Sequence, residues 1–128
     1  MSYIVTNIVP ILLAGIAGLG LLALAWRGRG AGAALLLPAF ALLCWLAAIL
    51  AGALILAPVE AGRWTVALGS AGIIWVGFVL PAVLVTLRSR AVSWGAALAD
   101  AGLWLAVMLL QAAVLRAVGV VGPTPPTG

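Results

Sequence analysis

Residues 33–57 read AALLLPAFALLCWLAAILAGALILA, without a single charged side chain. A bilayer core about 30 Å thick needs roughly 20 consecutive apolar residues to be crossed by one helix. This stretch therefore predicts a transmembrane helix. The run is continuous and does not alternate with a period of two, which excludes the strands of a membrane β-barrel.

The composition of the whole chain agrees with that stretch. Of its 128 residues, 67% are hydrophobic and 6% are charged. In soluble domains about 45–50% of the residues are apolar and about 25% are charged. A small soluble fold has too much surface for its volume to hide so much apolar material. The composition excludes a soluble globular protein and a disordered one, and it predicts a polytopic α-helical membrane protein.

Three further apolar runs lie outside the first one. Together they predict an all-α fold with four transmembrane helices, at about 3–26, 33–57, 65–87 and 94–121. The connections are only six or seven residues long, so consecutive helices should be antiparallel neighbours. We therefore predict two antiparallel hairpins in a single domain, 1–121. Residues 122–128, GPTPPTG, predict a proline-rich extended tail.

Arginines in two connections predict the orientation. The first connection carries Arg27 and Arg29, and the third carries Arg88 and Arg90, whereas Glu60 offsets Arg63 in the middle one. By the positive-inside rule the two arginine-rich turns face the cytoplasm, so both termini should lie on the outer side. The start of the chain lacks a positive n-region, so we expect the first helix to be retained. We predict a multi-pass protein of the bacterial inner (cytoplasmic) membrane.

Missing residue types restrict the chemistry. The chain has no histidine, no lysine, one cysteine (Cys44) and two carboxylates. Histidine-ligated metals, thiolate metal cages, P-loops and imidazole bases are therefore excluded. We predict that the protein is not an enzyme, has no metal and has no cofactor of its own, while a bound lipid or a pigment held by a partner stays open. The positive-inside rule accounts for the arginines in the connections between helices, so nucleic acid is not an expected partner.

Asp100 is the one charge that topology does not explain. An acid within a membrane segment is costly and is a candidate functional group. Asp100 and Gln111 are eleven positions apart, which places them about 20° apart on a helix, with Trp104 between them. This stripe is interpreted either as an ion or substrate site, or as a structural contact in which Asp100 hydrogen-bonds another helix or pairs with Arg88 or Arg90.

Small residues and prolines predict helix packing. Ala14 and Gly18 form a small-xxx-small pair on the first helix, and Ala48 and Gly52 form another on the second. Such pairs let helix backbones approach closely. Gly77 and Pro81 of the third helix are assigned to packing as well, the latter through a kink.

Six tryptophans divide by depth. Trp26, Trp64 and Trp94 are expected at the membrane interfaces, whereas Trp45, Trp75 and Trp104 lie deeper. A deep indole N–H needs a partner. The deep tryptophans therefore either contact a protein or pigment, or face lipid as bulk.

The second half of the chain carries a short set of motifs, WVGFVLP at 75–81 and ADAGLW at 99–104. These resemble the last two helices of an uncharacterised bacterial family of four-helix membrane proteins, domain of unknown function number seventeen sixty-one. Gly77, Phe78 and Pro81 fit its first motif, and Asp100, Ala101 and Gly102 fit its second. The resemblance covers about 68–118 and implies the fold without an activity. This chain lacks the acidic residue that the family carries in the turn before the arginine.

Two functions follow as hypotheses. The first is a small non-catalytic integral membrane subunit that packs against other membrane subunits and stabilises a larger complex. The second is a small transporter or ion channel built from copies of this chain, with Asp100 as its membrane-embedded site. An enzyme acting on lipid is disfavoured because the hydroxyl side chains have no base beside them.

Overall fold

A computed structural model describes residues 2–27, 33–56 and 62–120, which contain helices and no strand. The elements in chain order are α1 (Ser2–Thr6), α2 (Ile8–Ala25), α3 (Ala33–Leu56), α4 (Arg63–Ile74), a π-helical turn (Trp75–Val79), α5 (Leu80–Ser89) and α6 (Trp94–Val118). The π-helical turn joins α4 to α5 in one continuous helix, called the composite helix below.

Among the residues that the structure describes, four helices are long and apolar enough to cross a membrane: Ile8–Ala25, Leu35–Leu56, Trp64–Ser89 and Trp94–Val118. The prediction of an all-helical chain with four candidate membrane helices is confirmed. Arg29, Glu60 and the tail 122–128 lie outside the described residues.

The first predicted helix is interrupted at Asn7, between α1 and α2. Pro10 follows in the first turn of α2, and a proline cannot donate the helical bond to the residue four positions earlier. The buried Asn7 side chain donates through Nδ2 to the Tyr3 carbonyl at 2.9 Å. The Asn7 N–H donates to the same carbonyl, and the Asn7 carbonyl accepts from the Ile11 N–H at 3.1 Å, so backbone bonding continues through the break.

Pro81 has a different effect on the composite helix. The carbonyl four residues before it belongs to Gly77, within the π-helical turn. The turn is wider than an α-helix, and the Leu80 N–H bonds to the Trp75 carbonyl, five residues back. A proline ring would clash with the i−4 carbonyl of a regular α-helix, and the wider turn relieves that clash.

α6 has well-defined ends. Ser93 caps its start, accepting a hydrogen bond from the Ala96 N–H at 3.2 Å. Gly119 follows its end with a φ of 94°, a backbone conformation that favours glycine. That conformation ends the helix at Val118, three residues before the predicted end.

α6 is the central helix, because it packs against α2, α3, α4 and α5. The buried core is dominated by alanine, which lets the helices approach closely. Its fully buried larger side chains are Ile11, Leu50, Met108 and Leu115. A second cluster of Leu22, Leu43 and Val107 lies beside Trp26 and Trp104.

Candidate functional site

Gln111 of α6 lies where three helices meet. Its side chain is fully buried. Its Nε2 atom donates to the Ala14 carbonyl of α2 at 3.3 Å and to the Leu43 carbonyl of α3 at 3.0 Å. Helix carbonyls have a second lone pair free to accept such bonds, so one amide links α6 to two neighbours without breaking either helix.

Gly18 makes room for this amide. A Cβ built on Gly18 would lie 3.0 Å from Gln111 Nε2 and 3.3 Å from Val107 Cγ1. One turn earlier, Ala14 is fully buried and supplies an accepting carbonyl. The small pair predicted on the first helix therefore lies directly against the polar side chain of α6.

The Oε1 atom of Gln111 is buried and has no hydrogen-bond partner in the described part of the chain. A buried polar atom without a partner costs free energy. Burying the Gln111 amide therefore costs free energy, and the two hydrogen bonds that Nε2 donates offset part of that cost.

The rest of the predicted stripe is less buried. Trp104 is half-buried and packs against Leu22 and Val107. Asp100, one turn closer to the start of α6, is also half-buried. The structure therefore brings Trp104 and Gln111 to the face of α6 that meets α2, while Asp100 lies nearer to one end of the bundle.

Two aromatic side chains form further links between helices. Trp75 Nε1 donates to the Ala101 carbonyl of α6 at 2.7 Å. The Tyr3 hydroxyl donates to the Ala48 carbonyl at 3.1 Å, and its ring lies against Gly52. The small pair predicted on the second helix thus forms the seat for Tyr3, a contact that the sequence analysis did not predict.

Other predicted positions lie apart from these contacts. Gly77 and Pro81 are exposed on the composite helix, and nothing lies within 4 Å of a Cβ built on Gly77. Of the deep tryptophans, Trp45 is 56% exposed.

The described arginines lie at the helix ends. Arg88 stacks over the Trp94 ring at 4.7 Å and donates to the Val92 carbonyl at 2.8 Å, which fastens the connection between α5 and α6. Arg90 and Arg27 are exposed. Arg116 lies over the Trp64 ring at 5.9 Å, near the end of α6.

A stripe of small residues on the outer face of α6 was missed by the sequence analysis. We call it the α6 stripe, and its members are Gly95, Ala99, Gly102 and Ala106. All four are exposed, and no atom lies within 4 Å of a Cβ built on either glycine. Their spacing of four, three and four positions was the available signal, since it keeps them within an arc of about 60°.

Gln111, Trp75 and Tyr3 all act in the same way, by donating hydrogen bonds to backbone carbonyls of neighbouring helices. Within the described ranges, no three side chains among His, Cys, Asp and Glu lie close enough to hold a metal ion.

No protein-family model matches the chain, and neither a curated protein nor a solved structure matches it. The resemblance to the uncharacterised bacterial family therefore stays a prediction.

Proposed function

We propose that this chain is a small non-catalytic integral membrane subunit that packs against and stabilises a larger membrane protein complex. The observation that carries the proposal is the α6 stripe, which is exposed and has no partner within the described chain. Between helices in lipid, close packing and interhelical bonds drive association, and small residues permit both.

The geometry of the α6 stripe suits a helix as its partner. From Gly95 to Ala106 the stripe is roughly 17 Å long, at about 1.5 Å per residue. Alternate steps of four and three positions match the seam along which two helices pack with a small crossing angle. One transmembrane helix of another subunit would therefore cover it.

The composite helix offers a second surface. Only 6% of its membrane window is buried within the chain, compared with 28–33% for the other three candidate spans. Phe78 and Ile73 are its most exposed large hydrophobic side chains, at 73% and 75%. A partner could thus contact this chain on more than one face.

The same proposal includes the hairpin arrangement and the orientation. Tyr3, at the start of the α1–α2 arm, lies near Gly52, toward the end of α3. Gly15, further along α2, lies near Cys44, which is earlier in α3. This supports an antiparallel first hairpin. Membership of the resembled family, a bacterial inner membrane and termini on the outer side are proposed with it.

Purification of the full chain from its membranes in mild detergent tests the proposal. We expect other membrane polypeptides to co-purify in fixed ratio. Gly102→Leu should displace them, because the new side chain prevents close approach of a second helix. Gly20→Leu is the matched control, since a Cβ on Gly20 also has no atom within 4 Å. Recovery of wild type only as a lone monomer contradicts the proposal.

The second candidate is the transporter or channel built from copies of this chain. The observation that favours it is the half-buried position of Asp100 within a candidate membrane helix, since such acids commonly mark ion pathways. Proteoliposomes containing the full chain and a pH-sensitive dye would measure proton flux. Flux that Asp100→Asn abolishes and Asp100→Glu retains favours this candidate. Absence of flux leaves the subunit as the better account.

A further inference from the structure

A cleft lies between α2 and α3 where α2 ends and α3 begins. Its walls are Leu19, Leu22 and Ala23 from α2 and Leu35, Leu36 and Ala39 from α3. Its cavity volume is about 120 Å³, and every wall residue named above is apolar. An apolar cavity does not hold water stably, so hydrocarbon is the better filling.

Two side chains of different character complete the lining of this cleft. Trp26 and Arg27 also line it, and both directly follow the last residue of α2. Indole rings prefer the level of the lipid headgroups, which places this end of the cleft at a membrane interface. Arg27 is exposed there, and a guanidinium binds phosphate through two parallel hydrogen bonds.

The surrounding charge is positive. Trp26 shares a cluster with Trp104, whereas Ala14, earlier in α2, meets Gln111, later in α6, so the end of α2 points toward the end of the bundle where α6 starts. Arg88 and Arg90 end α5 just before α6 begins. Asp100 is the only acidic residue among the described residues. Arg88 is engaged with Trp94 and the Val92 carbonyl, whereas Arg27 lines the cleft.

We infer that this cleft binds an anionic phospholipid, with the headgroup-proximal segment of one acyl chain between α2 and α3 and its phosphate on Arg27. Apolar walls that end in a guanidinium fit an acyl chain joined to a phosphate. Basic pockets between membrane helices are typical headgroup sites. The site belongs to this chain alone, so it does not depend on the partner proposed above.

Lipid titration of the purified full chain tests the inference. The probes are phosphatidylglycerol and phosphatidylcholine with identical acyl chains, and the readout is lipid-bound mass in native mass spectrometry. We expect phosphatidylglycerol to bind more tightly. Arg27→Gln should weaken it about five- to tenfold, as expected for losing one interfacial arginine contact, and should leave phosphatidylcholine unchanged.

Arg90→Gln is the matched control, because it removes the same charge from the same end of the bundle without touching the cleft. It should change phosphatidylglycerol binding less than about twofold, since an exposed charge outside the site contributes little. Equal affinity of wild type for both lipids overturns the inference, and so does an equal loss in both arginine variants.

A second pair of variants tests the acyl-chain part. Ala39→Leu fills the cleft and should weaken binding of both lipids. Ala41→Leu adds the same side chain at an exposed position of α3 outside the cleft and should leave binding unchanged. If Ala39→Leu binds phosphatidylglycerol as wild type does, the lipid does not occupy the cleft and the inference is wrong.

Discussion

Gly15→Ala is expected to destabilise the protein by about 1–3 kcal/mol, the usual cost of overpacking a tight contact. A Cβ on Gly15 would lie 2.5 Å from Cys44 Sγ and 3.5 Å from the Cys44 Cα. The substitution therefore forces α2 and α3 apart or rotates the thiol. Unfolding in SDS, followed by tryptophan fluorescence, measures the change in the free energy of unfolding.

Two further variants isolate the cause. Gly20→Ala, on the same helix with nothing within 4 Å, should leave stability unchanged or raise it by up to about 1 kcal/mol, because alanine is the better helix former. Adding Cys44→Ala to Gly15→Ala removes the clashing sulfur and should restore most of the loss. If Gly15→Ala is as mild as Gly20→Ala, the new Cβ is accommodated without overpacking and this prediction is wrong.

Gln111→Ala is expected to cost about 2–4 kcal/mol. Its two interhelical bonds contribute little, since such bonds in membrane proteins average about 0.6 kcal/mol each. The larger share comes from the cavity left by a fully buried side chain. Gln111→Leu keeps most of the volume and also removes the unpartnered Oε1, so its cost should stay below about 1.5 kcal/mol.

Leu98→Ala provides the comparison on the same helix. Leu98 is 53% exposed, so removing its side chain should change stability by less than about 0.5 kcal/mol. The same SDS unfolding measurement applies. If Gln111→Leu is as damaging as Gln111→Ala, hydrogen bonding outweighs packing and the energetic assignment is wrong.

Much of the architecture could be predicted from the sequence, because the bilayer imposes a length on every span. The runs around Cys44 and Met108 are long enough to cross, and the structure has helices there. The face on which a polar side chain lies could also be predicted from its position along the helix. The spacing from Asp100 predicts that Gln111 shares a helix face with Asp100 and Trp104, and the structure shows Gln111 fully buried.

The packing partners could not be predicted, and the reason is physical. In lipid the outer surface of a helix is as apolar as its core, so hydropathy does not distinguish buried Leu43 from exposed Leu42. The acceptors for Trp75 and Tyr3 are backbone carbonyls, which every residue supplies. The interruption at Asn7 and the π-helical turn depend on how each proline clash is relieved, and a kink was the only effect expected of Pro81.

The most direct test of the central claim is site-specific photo-crosslinking in intact membranes. A photoreactive residue in place of Leu98, on the flank of the α6 stripe, should give one discrete adduct with another membrane polypeptide. The same residue in place of Leu42, which is 68% exposed on α3, should give no protein adduct. An adduct of this chain with only itself, or none from the Leu98 position, would contradict the account.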